Sequence, residues 1–258
     1  MPASTTYTSH ELCASQDGRK IYGQLFLPTN PTHDGPLPTV VCAHGFGANY
    51  LSLVPYAWEL AARGFAVYCF DFCGGGYAAR SEGNPLQMTL LTEQDDLLTV
   101  TRLLAEQPQV DARNMFLLGE DQGALVGTLL CGTHPHTFRA LALLHPTFNL
   151  HDSFRKLFPT KKNIPTSFRQ SGMRVCREYA EHAWDTNPYA FMSAYPGNVL
   201  IVHGDEDTAV PLDYAKRATA AFPHAKVCVL HGGKHVFRGE VQRQCTDAVI
   251  DFLVDMSR

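Results

Sequence analysis

Polar and apolar positions alternate along residues 7–15 and again along 19–28, with Gln16-Asp17-Gly18 between them. A period of two puts one face of a strand in the core and the other in water, and Asp-Gly between two such runs predicts a hairpin. A loop rich in Pro, Gly and Asn follows, from Pro28 to Pro38. The pattern then changes to short, continuous apolar runs at 39–43, 65–70, 115–118, 140–144, 199–202 and 226–230. Runs of this length, rich in Val, Leu, Ile and Phe, predict strands buried on both faces. Helical spacing fills the intervals at about 52–63, 91–107, 122–132, 212–222 and 240–256. In the last of these, Val241, Cys245, Val249, Phe252 and Leu253 share a face suited to packing on a sheet. Strands alternating with helices predict the α/β class. The expected fold is a mostly parallel sheet with helices on both faces and the opening hairpin as an antiparallel edge. The whole chain, 1–258, reads as one such domain.

Residues 147–196 break the alternation. They show no clear strand pattern and carry Phe148, Phe154, Phe158, Phe168, Tyr179, Trp184, Tyr189, Phe191 and Tyr195, with Arg155, Lys156, Lys161, Lys162, Arg169 and Arg174 interleaved. Roughly fifty residues between two sheet strands is too long for a simple loop and too aromatic for disorder. The expectation is an inserted cap over the site.

Composition narrows the function classes. The 258 residues include 21 Lys+Arg against 25 Asp+Glu, and no basic block stands out, which argues against nucleic acid as a partner. No apolar run reaches the ~18 residues of a membrane span. The opening Met1-Pro2-Ala3-Ser4-Thr5-Thr6 lacks the basic and apolar regions of a signal peptide. The eight cysteines (Cys13, Cys42, Cys69, Cys73, Cys131, Cys176, Cys228 and Cys245) form no Cys-x-x-Cys, and several lie inside apolar runs. They read as free thiols in a reducing cytoplasm, with neither disulfides nor a metal site expected. No phosphate-cradling Gly-x-Gly-x-x-Gly follows a strand, so no organic cofactor is implied. The expected partner is a small-molecule substrate, and homo-oligomerisation is left open.

In open α/β sheets ligands bind beyond the carboxyl ends of the strands, so the residues just after each run carry the chemistry. These are His44-Gly45-Phe46-Gly47, then Gly119-Glu120-Asp121-Gln122-Gly123, then His203-Gly204-Asp205-Glu206-Asp207, then His231-Gly232-Gly233-Lys234-His235. Asp205 and Asp207 compete for one acidic role, and His231 and His235 for one basic role. His44 and His203 read as structural, and Glu120 as an anchor for its turn.

Gly-x-nucleophile-x-Gly between strand and helix, followed by an acid and then a His, is the order of the α/β-hydrolase superfamily. The sequence resembles the small bacterial hydrolases grouped with cinnamoyl/feruloyl esterases and monoacylglycerol-lipase-like enzymes. The resemblance runs from the first hairpin to the last helix. It includes His44-Gly45-Phe46-Gly47, Asp71-Phe72-Cys73-Gly74-Gly75-Gly76, Ser81-Glu82-Gly83 and Tyr179-Ala180-Glu181-His182-Ala183-Trp184-Asp185. It implies Asp121 at the nucleophile position, Asp207 as acid, His235 as base, and Phe46 and Gln122 as backbone donors of an oxyanion hole. Among the insert aromatics, Tyr179, Trp184 and Tyr189 are candidate substrate contacts.

The departure lies at the nucleophile. These relatives carry Ser there, typically in Gly-x-Ser-x-Gly-Gly, whereas this chain has Asp121, and Ala124 replaces the second trailing Gly. A carboxylate attacking an ester gives a high-energy anhydride, while attack at a saturated carbon gives an ordinary ester that His235 and a water could hydrolyse. Three readings follow: an esterase-like scaffold for small acyl or hydroxycinnamoyl esters with impaired cleavage, an Asp-nucleophile hydrolase acting on a carbon–halogen bond or epoxide, or a non-catalytic binder. His235 between two carboxylates is expected to have a raised pKa.

Overall fold

The computed structural model describes residues 7–31 and 35–258. The opening hexapeptide and residues 32–34 of the Pro28–Pro38 loop, both considered above, lie outside the described residues. The chain opens with β1 (Tyr7–Glu11), β2 (Ala14–Gln16), β3 (Arg19–Ile21) and β4 (Gly23–Pro28). β1 pairs antiparallel with β4, and β2 with β3, so the predicted hairpin is a long one with a break in its ladder. Its tip is Asp17 (φ 50°) and Gly18 (φ 77°), the two left-handed residues that match a tight hairpin turn to strand twist.

Then come β5 (Leu37–Ala43), α1 (Val54–Ala61), β6 (Ala66–Phe70), α2 (Leu90–Ala105), β7 (Val110–Glu120), α3 (Gln122–Thr133) and β8 (Ala140–Leu144). The insert supplies α4 (Leu150–Leu157), β9 (Ser167–Gln170), β10 (Met173–Cys176), α5 (Arg177–Asp185) and α6 (Tyr189–Met192). The chain closes with β11 (Asn198–Gly204), α7 (Leu212–Ala221), β12 (Ala225–Leu230) and α8 (Gly239–Ser257).

Among the described residues the main sheet has eight strands in the order β1-β4-β6-β5-β7-β8-β11-β12. β4 runs antiparallel to β6, and every pairing from β6 through to β12 is parallel. The period of two along each strand divides the core. Val40, Cys42, Phe116, Leu118, Leu200 and Val202 face α1 and α8 on one side, while Val41, Leu117, Leu141 and Ile201 face α2, α3 and α7 on the other. Each such aliphatic side chain contributes about 1.5–3 kcal/mol by leaving water.

The insert corrects one expectation. The segment 147–196 does contain strands: β9 and β10 form an antiparallel hairpin turned by Ser171 (φ 44°) and Gly172 (φ 87°). Four-residue strands studded with Arg169 and Arg174 present too little alternation to read, although Ser-Gly is itself a turn signal. The buried Tyr179, Ala180 and Ala183 on α5 face back into the main core.

Candidate active site

The turn from β7 into α3 is tight, and two glycines make room for it. A Cβ on Gly119 would lie 2.6 Å from the Cα of Ala124, and one on Gly123 would lie 2.2 Å from the carbonyl oxygen of Ala43. Asp121 sits between them at φ 51°, ψ −113°, a conformation that costs an L-residue about 1–3 kcal/mol. Its side chain does not cap α3. It points instead into a pocket of about 350 Å³ that His235, Phe46, Gln122, Thr147 and Tyr179 also line.

Both oxygens of Asp121 are engaged. Oδ2 accepts the backbone N–H of Phe46 at 3.0 Å, and Oδ1 accepts the Thr147 hydroxyl at 2.8 Å. Nε2 of His235 stands 3.6 Å from Oδ1, an ion-pair distance beyond hydrogen-bond range. Nδ1 of His235 donates to Oδ2 of Asp207 at 2.8 Å. Oδ1 of Asp207 is held by the N–H groups of Ala209 and Val210, each at 2.9 Å. Nε2 of His203 lies 3.4 Å from Asp207 Oδ2 and bonds the Val210 carbonyl at 2.8 Å.

The competing pair is accounted for by its own contact. Nδ1 of His231 donates to Oδ2 of Asp205 at 2.8 Å, with the His231 side chain 91% exposed. Neither lines the pocket. His44 has both nitrogens bonded to backbone, at Gly45 O and Phe72 N. Glu120 accepts the Ser52 hydroxyl at 2.9 Å.

Charge follows this geometry. His235 is pushed up to about 10 by its contacts with Asp121 and then Asp207, against the opposing effect of burial. Burial raises the Asp121 carboxyl, but His235, His145 and Thr147 outweigh it and hold it below the usual range. Burial likewise opposes ionisation of Asp207, yet hydrogen bonds from His203 and His235 leave it strongly lowered. At neutral pH the resting site is therefore carboxylate–imidazolium–carboxylate. An imidazolium has no lone pair with which to accept a proton.

Behind the pocket, Gln122 donates from Nε2 to Oε2 of the buried Glu93 at 2.7 Å and accepts the Tyr179 hydroxyl at 2.5 Å. Burial pushes Glu93 up to about 8, so it is mostly protonated at neutral pH. This network ties the first residue of α3 to α2 and α5.

The three remaining aromatic candidates separate. Tyr179 lines the pocket, but its hydroxyl is spent on Gln122. Trp184 and Tyr189 are not part of the pocket wall. The indole N–H of Trp184 bonds Phe158 O and its ring lies under Arg155, while Tyr189 bonds Tyr214 O and packs on Phe148 under Arg217. Residues that sequence reasoning passed over include Thr147, His145, Asn149, Ser153 and Gln170. All but Gln170 and Ser153 follow β8 within a few residues, at the carboxyl end of an apolar run that no motif follows. Ser153 lies on α4, and Gln170 lies at the unexpected β9–β10 turn.

Comparison with known proteins places the fold and the family. The chain matches the family described as serine aminopeptidase, S33, over residues 34–176 and the TAP-like protein family over residues 169–258. It superposes on the ferulic-acid-bound Est1E of Butyrivibrio proteoclasticus with a TM-score of 0.84 and 25% identity, covering 95% of this chain and 98% of that one. It is 27% identical to esterase YjfP of Escherichia coli over 195 residues, 73% of this chain and 76% of that protein. It is 23% identical to the uncharacterised protein YfhR of the same species over 246 residues, 93% of this chain and 78% of that one. The scaffold is thus esterase-like, and since the S33 match spans more than half of the chain, the protein belongs to the serine aminopeptidase S33 family of α/β hydrolases.

Proposed function

We propose that the pocket receives small acyl or hydroxycinnamoyl esters and that Asp121 at the nucleophile position impairs their cleavage. The observation that carries this is the hydrogen bond from Phe46 N–H to Asp121 Oδ2 at 3.0 Å. That N–H is the donor an ester oxyanion would need, and the protein's own carboxylate holds it. Asp121 also gives only an anhydride on attack at an acyl carbon and keeps His235 protonated. The ester class is supported by the esterase-like scaffold and the ferulic acid bound to Est1E. Residues 147–196 act in this reading as a cap, contributing Thr147, Asn149, Ser153, Gln170 and Tyr179 to the pocket wall. The compartment is read as the cytoplasm, a reducing one that suits eight unbonded cysteines.

A second reading has its own support in the same contact. With Oδ2 on the Phe46 N–H, Oδ1, which accepts the Thr147 hydroxyl and keeps a second lone pair, is the oxygen that would displace a leaving group from saturated carbon, in a halide or epoxide. Alkylation would neutralise Asp121 and remove the largest cause of the raised His235 pKa. His235 could then lose its proton to solvent and activate water against the new ester.

One assay set separates the two. Asp121→Ser should raise kcat/KM on short acyl and hydroxycinnamoyl esters by about 10²-fold or more, the scale of restoring one oxyanion donor. The first reading fails if the variant gains no esterase activity. Under the second, His235→Ala should accumulate an alkyl adduct on Asp121, read by intact mass after incubation with a haloalkane or epoxide. An unmodified mass with every such substrate would rule it out.

A further inference from the structure

We propose that Asp121, His145 and His235 form a mononuclear site for a divalent ion of the zinc type, with a further coordination position open to the pocket. One ligand atom from each residue lies within 4.8 Å of the other two. Nε2 of His235 and Oδ1 of Asp121 are 3.6 Å apart, close to the separation of two ligands on a tetrahedral ion with bonds of about 2.0–2.1 Å. The imidazoles of His145 and His235 meet edge to face at 4.7 Å between centroids. A shift of about an ångström in these side chains would bring all three to bonding distance of one ion.

The surroundings are those of a ligand set. Asp207 fixes Nδ1 of His235 at 2.8 Å and so leaves Nε2 facing Asp121, the carboxylate–histidine arrangement that supports metal-bound imidazoles. Thr147 orients the Asp121 carboxylate at 2.8 Å. His145 has no part in the Asp121–His235–Asp207 chain, yet it is 4% exposed and its Nδ1 has no hydrogen-bond partner among the described residues. Its Nε2 lies 3.8 Å from Glu120 Oε1, and an orphaned buried nitrogen is costly, a cost that a bound ion would relieve. His145 is also held at φ 34°, left-handed for a non-glycine, just as Asp121 is at φ 51°. Two imidazoles and a carboxylate suit zinc and its neighbours rather than magnesium or calcium. Asp121 and His235 both line the pocket, so the open position faces the space where a ligand oxygen would sit. The imidazolium proton of His235 leaves to solvent as the ion binds.

The proposal is read by metal affinity and stands or falls apart from the ester reading. Chelator-treated full-length protein is titrated with Zn²⁺ by calorimetry and with Co²⁺ by visible absorption. The expected result is one ion per chain, a cobalt spectrum of low coordination number, and at least about a tenfold loss of affinity in His145→Gln and in Asp121→Ser. His231→Ala, which removes the exposed His–Asp pair, should bind as the parent does. Should His145→Gln fail to fold by circular dichroism, Asp121→Ser decides. No binding by the parent at stoichiometric zinc, or equal affinity in the parent and the cluster variants, overturns the site.

Discussion

The carboxylate at position 121 sets what its neighbours can do. Asp121 occupies Phe46 N–H and faces His235 from the side opposite Asp207. A serine there would leave both the donor and the imidazole free. Thr147 adds a hydrogen bond to the same carboxylate. Thr147→Val should therefore raise the Asp121 pKa, readable by carboxylate NMR, and leave the fold intact. Much of this site was legible, because Asp121, Asp207, His235 and Phe46 each follow an apolar run and a buried parallel strand delivers its last residue to one end of the sheet. The side-chain partners were not. Thr147 and His145 sit beside Asp121 because β8 is next to β7, a neighbour relation that residue order does not state. Trp184 lies in a stretch that carries the resemblance and Tyr189 is an aromatic of the same insert, but a helix face decides where a ring points. Theirs are turned to Arg155 and Arg217.

At the scale of elements, the apolar runs located strands and helices to within a few residues because burial on both faces removes polar positions altogether. β7 extends well beyond its run, from Val110, since its polar start Asp111-Ala112-Arg113-Asn114 continues past an irregularity in the pairing with β5. β9 and β10 escaped for the opposite reason: a short, partly exposed hairpin has no continuous apolar signature. The α8 face read from spacing, including Cys245, Val249, Phe252 and Leu253, is the one buried against the sheet. Leu253→Ala should cost about 2–5 kcal/mol of unfolding free energy, measured by urea denaturation. The turn from β7 into α3 admits less change. Gly123→Ala places a Cβ 2.2 Å from backbone carbonyl oxygen, so α3 must move off β5. Its expected signature is a stability loss of about 1–3 kcal/mol, the scale of overpacking, in the same assay.

Over the whole molecule, buried acids couple folding to pH. Glu93 has a folded pKa of about 8 because burial disfavours its charge. The unfolded chain releases that proton near the ordinary carboxylate value, so between about 4.5 and 8 the unfolded state gains relative to the folded one. Glu93 thus lowers stability as pH rises through this window and adds no further slope above it. Asp96, raised to about 6 by burial, acts in the same direction over a narrower range. Glu93→Gln should flatten the fall in stability from pH 5 to pH 8, followed by denaturation at fixed ionic strength. A slope unchanged by the substitution would place the coupling elsewhere. The fold as a whole therefore holds three partly opposed charges at the strand ends and a protonated acid beneath them.

The state of one ring decides the proposed function, in which Asp121 converts the base of an esterase-like site into an imidazolium. Nitrogen-15 NMR of His235 in chelator-treated protein reads that state directly. The prediction is a ring protonated on both nitrogens at pH 7 and titrating near 10, with a fall of about 1–3 units in Asp121→Ser. A ring that titrates near 6.5 in both proteins would contradict it.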